Sequence, residues 1–269
     1  MRSIFLLTTI GLVGCLDSFK DSDEDGLSNK EEAEFGSDPE NADSDGDGLS
    51  DLEEFDMDLD PNSEDSDGDG YLDSWEVAEG SDPADADDRI YVGYWPYNPD
   101  KDAYNAPTSI DDTDDNIGSQ LVRIPLMDQF GDTVDLYDFT GQGKYIAIDI
   151  SAIWCGPCNQ LARAIANGNP NAGWGSAPEK VHNGELYWMT ILGENESGRT
   201  PTLSDLEAWY DRYTDDKVPV FADSDAGDYV DLLLGSGWPT IVLFDENLNL
   251  VQGPTNADHY AALSAIEDL

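Results

Sequence analysis

Hydrophobic positions fall into three regimes along the chain. Residues 4–13 form a short, continuous apolar run near the amino end. Between residues 21 and 88 apolar residues are sparse and stand singly among acidic ones, which leaves little material for a hydrophobic core. From about residue 118 onward, apolar runs of strand length alternate with segments of helical spacing. The pattern therefore predicts a leader, a core-poor segment and one well-packed domain.

The carboxyl-terminal segment predicts alternating strands and helices. Residues 124–139 alternate around a turn, which favours a β-hairpin. KYIAIDIS at 144–151 and ELYWMTILGE at 185–194 are continuous apolar runs suited to the buried centre of a sheet. Helical spacing follows in NQLARAIA and again after a capping signal at Thr202. WPTIVLFDENLNLVQG predicts a second hairpin, so the fold class is a mixed α/β sheet flanked by helices.

Charge sharpens the division between the segments. The 269 residues carry 59 acidic and 12 basic side chains, a formal net charge of −47. Residues 21–88 alone hold 29 of these acids and a single base, Lys30. Such a surface repels nucleic acid and anionic lipid head groups, because neither offers counter-charge. The partner that it favours is a cation.

The acidic segment is an internal repeat. DSDEDGLSNKEE, DSDGDGLSDLEE and DSDGDGYLDSWE start 22 residues apart, at Asp21, Asp43 and Asp65. Carboxylates at positions 1, 3 and 5, a glycine at 6, a backbone carbonyl at 7 and a glutamate at 12 are the ligand pattern of a calcium loop. The predicted Ca²⁺ ligands are Asp21, Asp23, Asp25, Leu27, Asn29, Glu32, Asp43, Asp45, Asp47, Leu49, Asp51, Glu54, Asp65, Asp67, Asp69, Tyr71, Asp73 and Glu76.

The 22-residue period is too short for paired EF-hands, which need a longer amphipathic helix on each side. The residue pattern over 21–88 instead resembles that of bacterial thrombospondin type 3 calcium repeats. That resemblance implies a short, mostly irregular stalk stiffened by weakly bound Ca²⁺. The alternative is a solvated acidic spacer without a specific ion.

The amino end, MRSIFLLTTIGLVGC, predicts an export signal, since its apolar run is far below the roughly 20 residues that span a bilayer. Its last four residues resemble a bacterial lipobox, which implies lipidation of Cys15 and a place in the cell envelope. The alternative is a plain signal peptide with a chance cysteine.

Residues 89–117 concentrate aromatic residues and prolines, and we expect them to form a connector. Tyr91, Tyr94, Trp95 and Tyr97 are predicted to pack on the following domain. A ligand-stacking platform is the alternative.

The remaining cysteines, Cys155 and Cys158, stand in AIWCGPCNQ between a predicted central strand and a helix. A zinc site needs about four ligands, and His182 and His259 are distant in sequence. A disulfide across so short a loop constrains little chain, which makes a purely structural role a poor explanation. A redox dithiol at a helix start is the third explanation, because free N–H groups there stabilise a thiolate.

IAIDISAIWCGPC together with GWPTIVLF resembles the thioredoxin fold, in particular the exported TlpA/ResA-like thiol-disulfide oxidoreductases, over residues 118–269. The resemblance implies an exposed, nucleophilic Cys155, a resolving Cys158, a cis-proline at Pro239 and a buried proton-transfer carboxylate at Asp149. Asp149 on the sheet surface remains the alternative.

The rest of the redox motif, Trp154, Gly156 and Pro157, fits this resemblance. Family members usually carry a basic residue after the second cysteine. Asn159 stands there in this chain, and we therefore expect a less acidic Cys155.

Taken together, the sequence predicts an exported lipoprotein with four segments: a signal peptide (1–15), three calcium repeats (16–88), a connector (89–117) and a thioredoxin-like domain (118–269). The expected activity is reduction of protein disulfides, with electrons supplied by a membrane thiol donor. Oxidase or isomerase activity remains open, as does a surface calcium-binding scaffold whose thioredoxin-like domain only binds a partner.

Overall fold

The computed structural model describes residues 19–109, 116–224, 227–235, 237–253 and 259–269, without the side chains of residues 259 and 260. The predicted signal peptide and Cys15 lie outside the described residues. The chain divides into two compact units, residues 1–90 and 91–269. No helix within the described part is both long and apolar enough to cross a bilayer.

The first unit contains one short helix in each repeat. The helices are α1 (Asn29–Phe35), α2 (Asp51–Met57) and α3 (Asp73–Glu79). Ser28 and Ser50 form capping boxes with the glutamate three residues later, whereas α3 follows Leu72 without a side-chain cap. Sequence analysis did not predict these helices, since seven residues are too few for a recognisable hydrophobic period.

The second unit contains seven strands and five helices of regular structure among the residues described. The strands are β1 (Leu126–Asp128), β2 (Thr133–Val134), β3 (Tyr145–Ala152), β4 (Leu186–Glu194), β5 (Val220–Ala222), β6 (Thr240–Phe244) and β7 (Leu250–Gln252). The helices are α4 (Gly156–Ala166), α5 (Ala177–His182), α6 (Leu203–Arg212), α7 (Asp228–Leu233) and α8 (His259–Glu267).

The strands form one mixed sheet in the order β2-β1-β5-β4-β3-β6-β7. β3, β4 and β5 are parallel neighbours, while β6 runs antiparallel to β3 and pairs with β7. This arrangement, with helices packed against a mixed sheet, is the predicted thioredoxin-like fold. The hairpin predicted at 124–139 is present in short form as β1 and β2, and a 3₁₀ turn at Leu136–Phe139 replaces its second half.

β3 lies in the interior of this sheet, between β4 and β6, and seven of its eight residues are buried. Hydrophobic clusters cover it, one containing residues of α4, α5 and α8 and the other containing both cysteines and residues of α6. The strand therefore ends, at Ala152, inside the core, and the chain turns directly into the cysteine motif.

From residue 91 onward the connector belongs to the second unit, while residues 89 and 90 belong to the first. Tyr91, Trp95 and Tyr97 are buried, as predicted, and the Tyr91 hydroxyl donates a hydrogen bond to Asp138 at 2.7 Å. Tyr94 differs from the prediction, because it is 63% exposed. Its backbone has a positive φ of 55°, which turns the side chain out of the row formed by its neighbours.

Candidate functional site

The cysteine motif begins where β3 meets α4. Cys155 is the N-cap of α4, and its Sγ accepts a hydrogen bond from the backbone N–H of Cys158 at 3.2 Å. Cys155 and Cys158 form a disulfide with Cα atoms 5.3 Å apart. Pro157 occupies the first turn, where its missing N–H leaves no intrahelical bond unmade.

The expectation of an exposed Cys155 is wrong for this oxidised state. Cys155 is 3% exposed and Cys158 is fully buried, because the disulfide and the N-cap hydrogen bond draw the first sulfur onto the helix turn. Trp154, Gly156 and Pro157 are the exposed residues of the motif, and Trp154 is 47% exposed. The Trp154 indole N–H donates to Glu194 at 2.7 Å, and the Trp154 ring lies edge-on to Trp238 with centroids 6.3 Å apart.

Trp238 precedes Pro239 through a cis peptide bond, as the sequence resemblance implied. Trp238 packs against the hydrophobic cluster that contains both cysteines. The structure thus brings the Trp238–Pro239 segment to the cysteine end of the sheet, although 80 residues separate it from the motif. Glu194 and Trp238 were not predicted as site residues; Trp238 stands in the GWPTIVLF segment directly before the predicted cis-proline, whereas no local signal marks Glu194.

Asp149 lies in the middle of β3 and is completely buried, which excludes the alternative of a surface-facing carboxylate. Both of its oxygens accept from the Ser151 hydroxyl, at 2.8 and 2.9 Å, and the Thr190 side chain also bonds to it. Burial raises the pKa of Asp149 to about 7, and the two hydroxyl bonds offset this only in part. The carboxyl group can therefore hold or release a proton near neutral pH.

Asn159 connects the motif to α6. Its amide group donates to the carbonyls of Ile153 at 2.9 Å and Cys155 at 2.7 Å, while its oxygen accepts from the Tyr213 hydroxyl. Arg212 also reaches this oxygen, at 3.4 Å. Position 159 itself carries no positive charge, but the tertiary structure brings the charge of Arg212 close to it. The local sequence around the motif does not show this contact.

Each predicted calcium loop brings three aspartates together. In each repeat the aspartates of positions 1, 3 and 5 offer oxygen atoms within 4.8 Å of one another. The position-1 aspartate accepts backbone N–H groups of its own loop, for example Asp65 from Gly68 at 2.7 Å and Gly70 at 2.9 Å. Gly70 has a φ of +104°, so the turn requires glycine there.

Position 12 completes each loop. Helices α1, α2 and α3 each carry a fully buried glutamate that faces its own loop. Burial, together with the neighbouring carboxylates, raises the pKa of Glu32 and Glu76 to about 7 and that of Glu54 to about 8. Several buried oxygens of these loops have no hydrogen-bond partner: Asp23 Oδ2, Asp45 Oδ2, Asp67 Oδ2, both Oε atoms of Glu32 and Glu54, and Glu76 Oε2.

Unpartnered, buried carboxylate oxygens grouped in this way fit a hard divalent cation such as Ca²⁺. The position-7 residues Leu27, Leu49 and Tyr71 are buried as well. Position 9 carries a different local contact: Asp51 accepts from both the N–H and the hydroxyl of Ser44, at 2.8 and 2.9 Å. Asn29 and Asp73 likewise bond to the serine at position 2 of their own loops, so a ligand role at position 9 stays a prediction.

The fold and these sites define the class of the molecule: acidic repeats joined in one chain to a thioredoxin-like unit with a cysteine pair. Residues 21–42, 43–56 and 65–86 match the family described as Bacterial TSP3 repeat, which confirms the repeat assignment. No curated protein matches the chain.

Solved structures similar to the chain include three thiol-disulfide proteins. The pneumococcal exposed lipoprotein thioredoxin of Streptococcus pneumoniae is 22% identical, with a TM-score of 0.39, 55% of this chain covered and 100% of the other. A thiol:disulfide interchange protein from Bacteroides sp. is 17% identical, with a TM-score of 0.41 and coverages of 57% and 90%. A secreted disulfide oxidoreductase of Mycobacterium tuberculosis is 14% identical, with a TM-score of 0.38 and coverages of 55% and 96%. The strand order β2-β1-β5-β4-β3-β6-β7, with helices packed against the sheet, defines the fold.

Proposed function

We propose that this chain is an exported, lipid-anchored thiol-disulfide oxidoreductase whose redox pair is Cys155 and Cys158, carried together with Ca²⁺-binding repeats. The observation that supports the activity most strongly is a disulfide across the first turn of a helix, in the same unit as a fully buried carboxyl group, Asp149. The anchor at Cys15 and the envelope location are proposed from the sequence.

In the reducing direction, the Cys155 thiolate attacks one sulfur of a substrate protein disulfide. A Cys155–substrate S–S bond forms, the substrate S–S bond breaks, and the departing substrate sulfur takes the electron pair and a proton. In the oxidised state the Cys158 N–H already donates a hydrogen bond to the sulfur of Cys155. The same N–H stabilises the Cys155 thiolate in the reduced state.

Cys158 then attacks the sulfur of Cys155 and releases the second substrate thiolate, so two electrons have passed from the dithiol to the substrate. Asp149, with its pKa raised to about 7, takes the proton from Cys158 in this step. A membrane thiol donor must then reduce the pair again. We favour reduction over oxidation because of the Gly-Pro pair between the cysteines. The reduction potential of the pair distinguishes the two activities: about −270 mV would support a reductase and about −120 mV an oxidant.

The position-1, -3, -5 and -12 carboxylates and the position-7 carbonyl of each repeat would hold the calcium ions. Bound Ca²⁺ supplies positive charge that offsets the repulsion among these crowded carboxylates. The repeats then serve as the calcium-dependent part of the molecule, and the redox chemistry needs no further cofactor.

Variants of the cysteine pair test the activity. Cys155→Ser should abolish catalysis of insulin reduction by dithiothreitol, since the nucleophile is lost. Cys158→Ser should accumulate a mixed disulfide with substrate, detectable by mass spectrometry, because the resolving sulfur is missing. Cys15→Ser keeps the pair and is the matched control: its activity should equal that of the parent while its membrane attachment is lost. Full activity of Cys155→Ser would sink the enzymatic assignment.

A binding-platform function has one structural feature in its favour. A cavity of about 360 Å³ in the second unit is lined by aromatic and cationic side chains, including Tyr94, Trp95, Tyr187, Lys144 and Lys217. A protein that lacks reductase, oxidase and isomerase activity with the pair intact would favour this second candidate.

A further inference from the structure

The position-5 aspartates connect consecutive repeats. One oxygen of Asp25 accepts the N–H of Leu27 in its own loop at 2.7 Å, and the other accepts the N–H of Leu52 in the next repeat at 3.1 Å. Leu52 is the second residue of α2, whose first N–H groups have no partner within the helix. The first loop is therefore fixed partly by the helix of the second repeat.

The second repeat has the same connection. Asp47 accepts the N–H of Leu49 at 2.7 Å with one oxygen and the N–H of Ser74, in α3, at 2.8 Å with the other. The Ser74 hydroxyl also donates to the Asp47 carbonyl at 2.7 Å. The 27-residue separation is identical to that between Asp25 and Leu52, which shows that the contact belongs to the repeat period.

No further repeat follows the third one within the first unit, which ends at residue 90, so no following helix donates an N–H to its position-5 aspartate. Asp69 accepts the N–H of Tyr71 at 2.9 Å with its Oδ1, as in the other loops, but its buried Oδ2 has no hydrogen-bond partner. The Nε of Arg89 lies 3.8 Å from this Oδ2, and the two side chains are only 11% and 1% exposed.

Arg89 is itself held in place by the end of the repeat segment. Its guanidinium donates to the carbonyl of Ala86 and lies 3.8 Å from the carboxylate of Asp87. Arg89 and Lys30 are the cations within residues 21–90, and Lys30 forms an exposed pair at 3.0 Å with Glu34, which is not a predicted calcium ligand. The charge of Arg89 is thus directed at the one position-5 carboxylate that no following helix fixes.

We propose that Arg89 is the terminal cap of the repeat array: it replaces the N–H of a following repeat and positions Asp69 for the third calcium site. This inference rests on the proposed calcium binding of the repeats. Without Arg89, the buried Oδ2 of Asp69 would have neither a hydrogen bond nor this cation to compensate it, and the ion would have to order the carboxylate itself.

The third loop can be observed separately. Tb³⁺ takes the same oxygen ligands as Ca²⁺ and luminesces when a nearby aromatic ring transfers energy to it. Only the third loop has an aromatic residue at position 7, Tyr71, and it also has Trp75 at position 11, where the first two loops carry glutamates. Tb³⁺ titration of the full chain therefore reports the third site, while calorimetry with Ca²⁺ counts all three.

We expect Arg89→Gln to weaken Tb³⁺ binding at the third loop about tenfold, equivalent to about 1.4 kcal/mol. Arg89→Lys, which keeps the charge, should stay within about threefold of the parent. Lys30→Gln is the matched control, because it removes the same charge from the same unit at an exposed side chain that pairs with Glu34 and not with a predicted calcium ligand. Calcium binding at the first two loops should stay unchanged in both Arg89 variants.

An affinity of Arg89→Gln equal to or above that of Lys30→Gln would show that Arg89 does not position Asp69, and the proposal would be wrong. Loss of binding at all three loops in Arg89→Gln would contradict a local cap equally. A parent protein that binds neither ion would overturn the calcium role of the repeats as well, which separates failure of the proposed function from failure of the cap.

Discussion

Buried carboxyl groups are the most informative single residues of this molecule. Asp149 is enclosed in β3 with hydroxyl partners only, whereas Asp138, which is also buried, has Lys101 at 2.9 Å and the Tyr91 hydroxyl at 2.7 Å. A carboxyl group without a nearby cation keeps its proton at higher pH, and this is the property that a proton acceptor for Cys158 needs.

Asp149 should make the stability of the fold depend on pH. The unfolded carboxyl ionises above its ordinary pKa of 3.8, while the folded one keeps its proton up to about 7. Unfolding therefore releases a proton in this window, and the free energy of unfolding falls as the pH rises. Asp149→Asn cannot ionise and so does not undergo this loss. Its free energy of unfolding relative to that of the parent should therefore rise by roughly 3–4 kcal/mol from pH 4 to pH 8.

Urea unfolding of the oxidised protein, followed by tryptophan fluorescence at both pH values, measures this difference. A variant that differs from the parent by the same amount at pH 4 and pH 8 would show that Asp149 does not titrate in the window. The same variant should also slow the release of the mixed disulfide while leaving its formation unaffected, since only Cys158 is proposed to use this base.

At the scale of elements, the redox motif depends on a contact between two helices. The first turn of α4 is closed by the side chain of Asn159, and Asn159 is in turn held by the Tyr213 hydroxyl at the end of α6. α6 therefore fixes the position of the cysteine loop without containing any residue of the motif.

Asn159→Ala removes both amide donors to the loop carbonyls and should lower the free energy of unfolding by about 1–3 kcal/mol. Tyr213→Phe removes only the hydroxyl contact between the helices, and its cost should be about 1 kcal/mol or less. Denaturant titrations of the oxidised and reduced proteins measure both effects. Equal losses for the two variants would mean that the bonds to Ile153 and Cys155 contribute nothing to the stability of the motif.

At the scale of the whole molecule, charge is divided very unevenly between the units. Residues 21–88 hold 29 acidic residues against one basic residue, and their helices contain only seven residues each. The second unit instead has a buried sheet and large hydrophobic clusters. The first unit depends on compensation of its charge, and the second depends on hydrophobic burial.

Removal of calcium should therefore affect the units differently. With excess EDTA, the far-UV dichroism of the repeats should lose its helical contribution, because the carboxylates of each loop then repel one another. Insulin reduction by the same sample should continue at the rate of the calcium-loaded protein. Mg²⁺ at equal concentration should restore less of the dichroism, since it demands a smaller, octahedral site. Loss of reductase activity with EDTA would contradict the independence of the units.

The sequence by itself determined what depends on neighbours along the chain. The 22-residue spacing of the loops, the strand-length apolar runs and the cysteine motif are local patterns, and local geometry decides where a loop turns or a strand runs. The cis peptide before Pro239 was also expected, from the resemblance of the motif.

Only the tertiary structure decided which distant residues meet. Three contacts join residues that are 20 to 84 positions apart: Arg212 with Asn159, Trp154 with Trp238, and Arg89 with Asp69. The burial of Cys155 depends in the same way on the packing of distant elements. The physical reason is that side-chain burial and charge pairing depend on the packing of whole elements, which no short window of sequence contains.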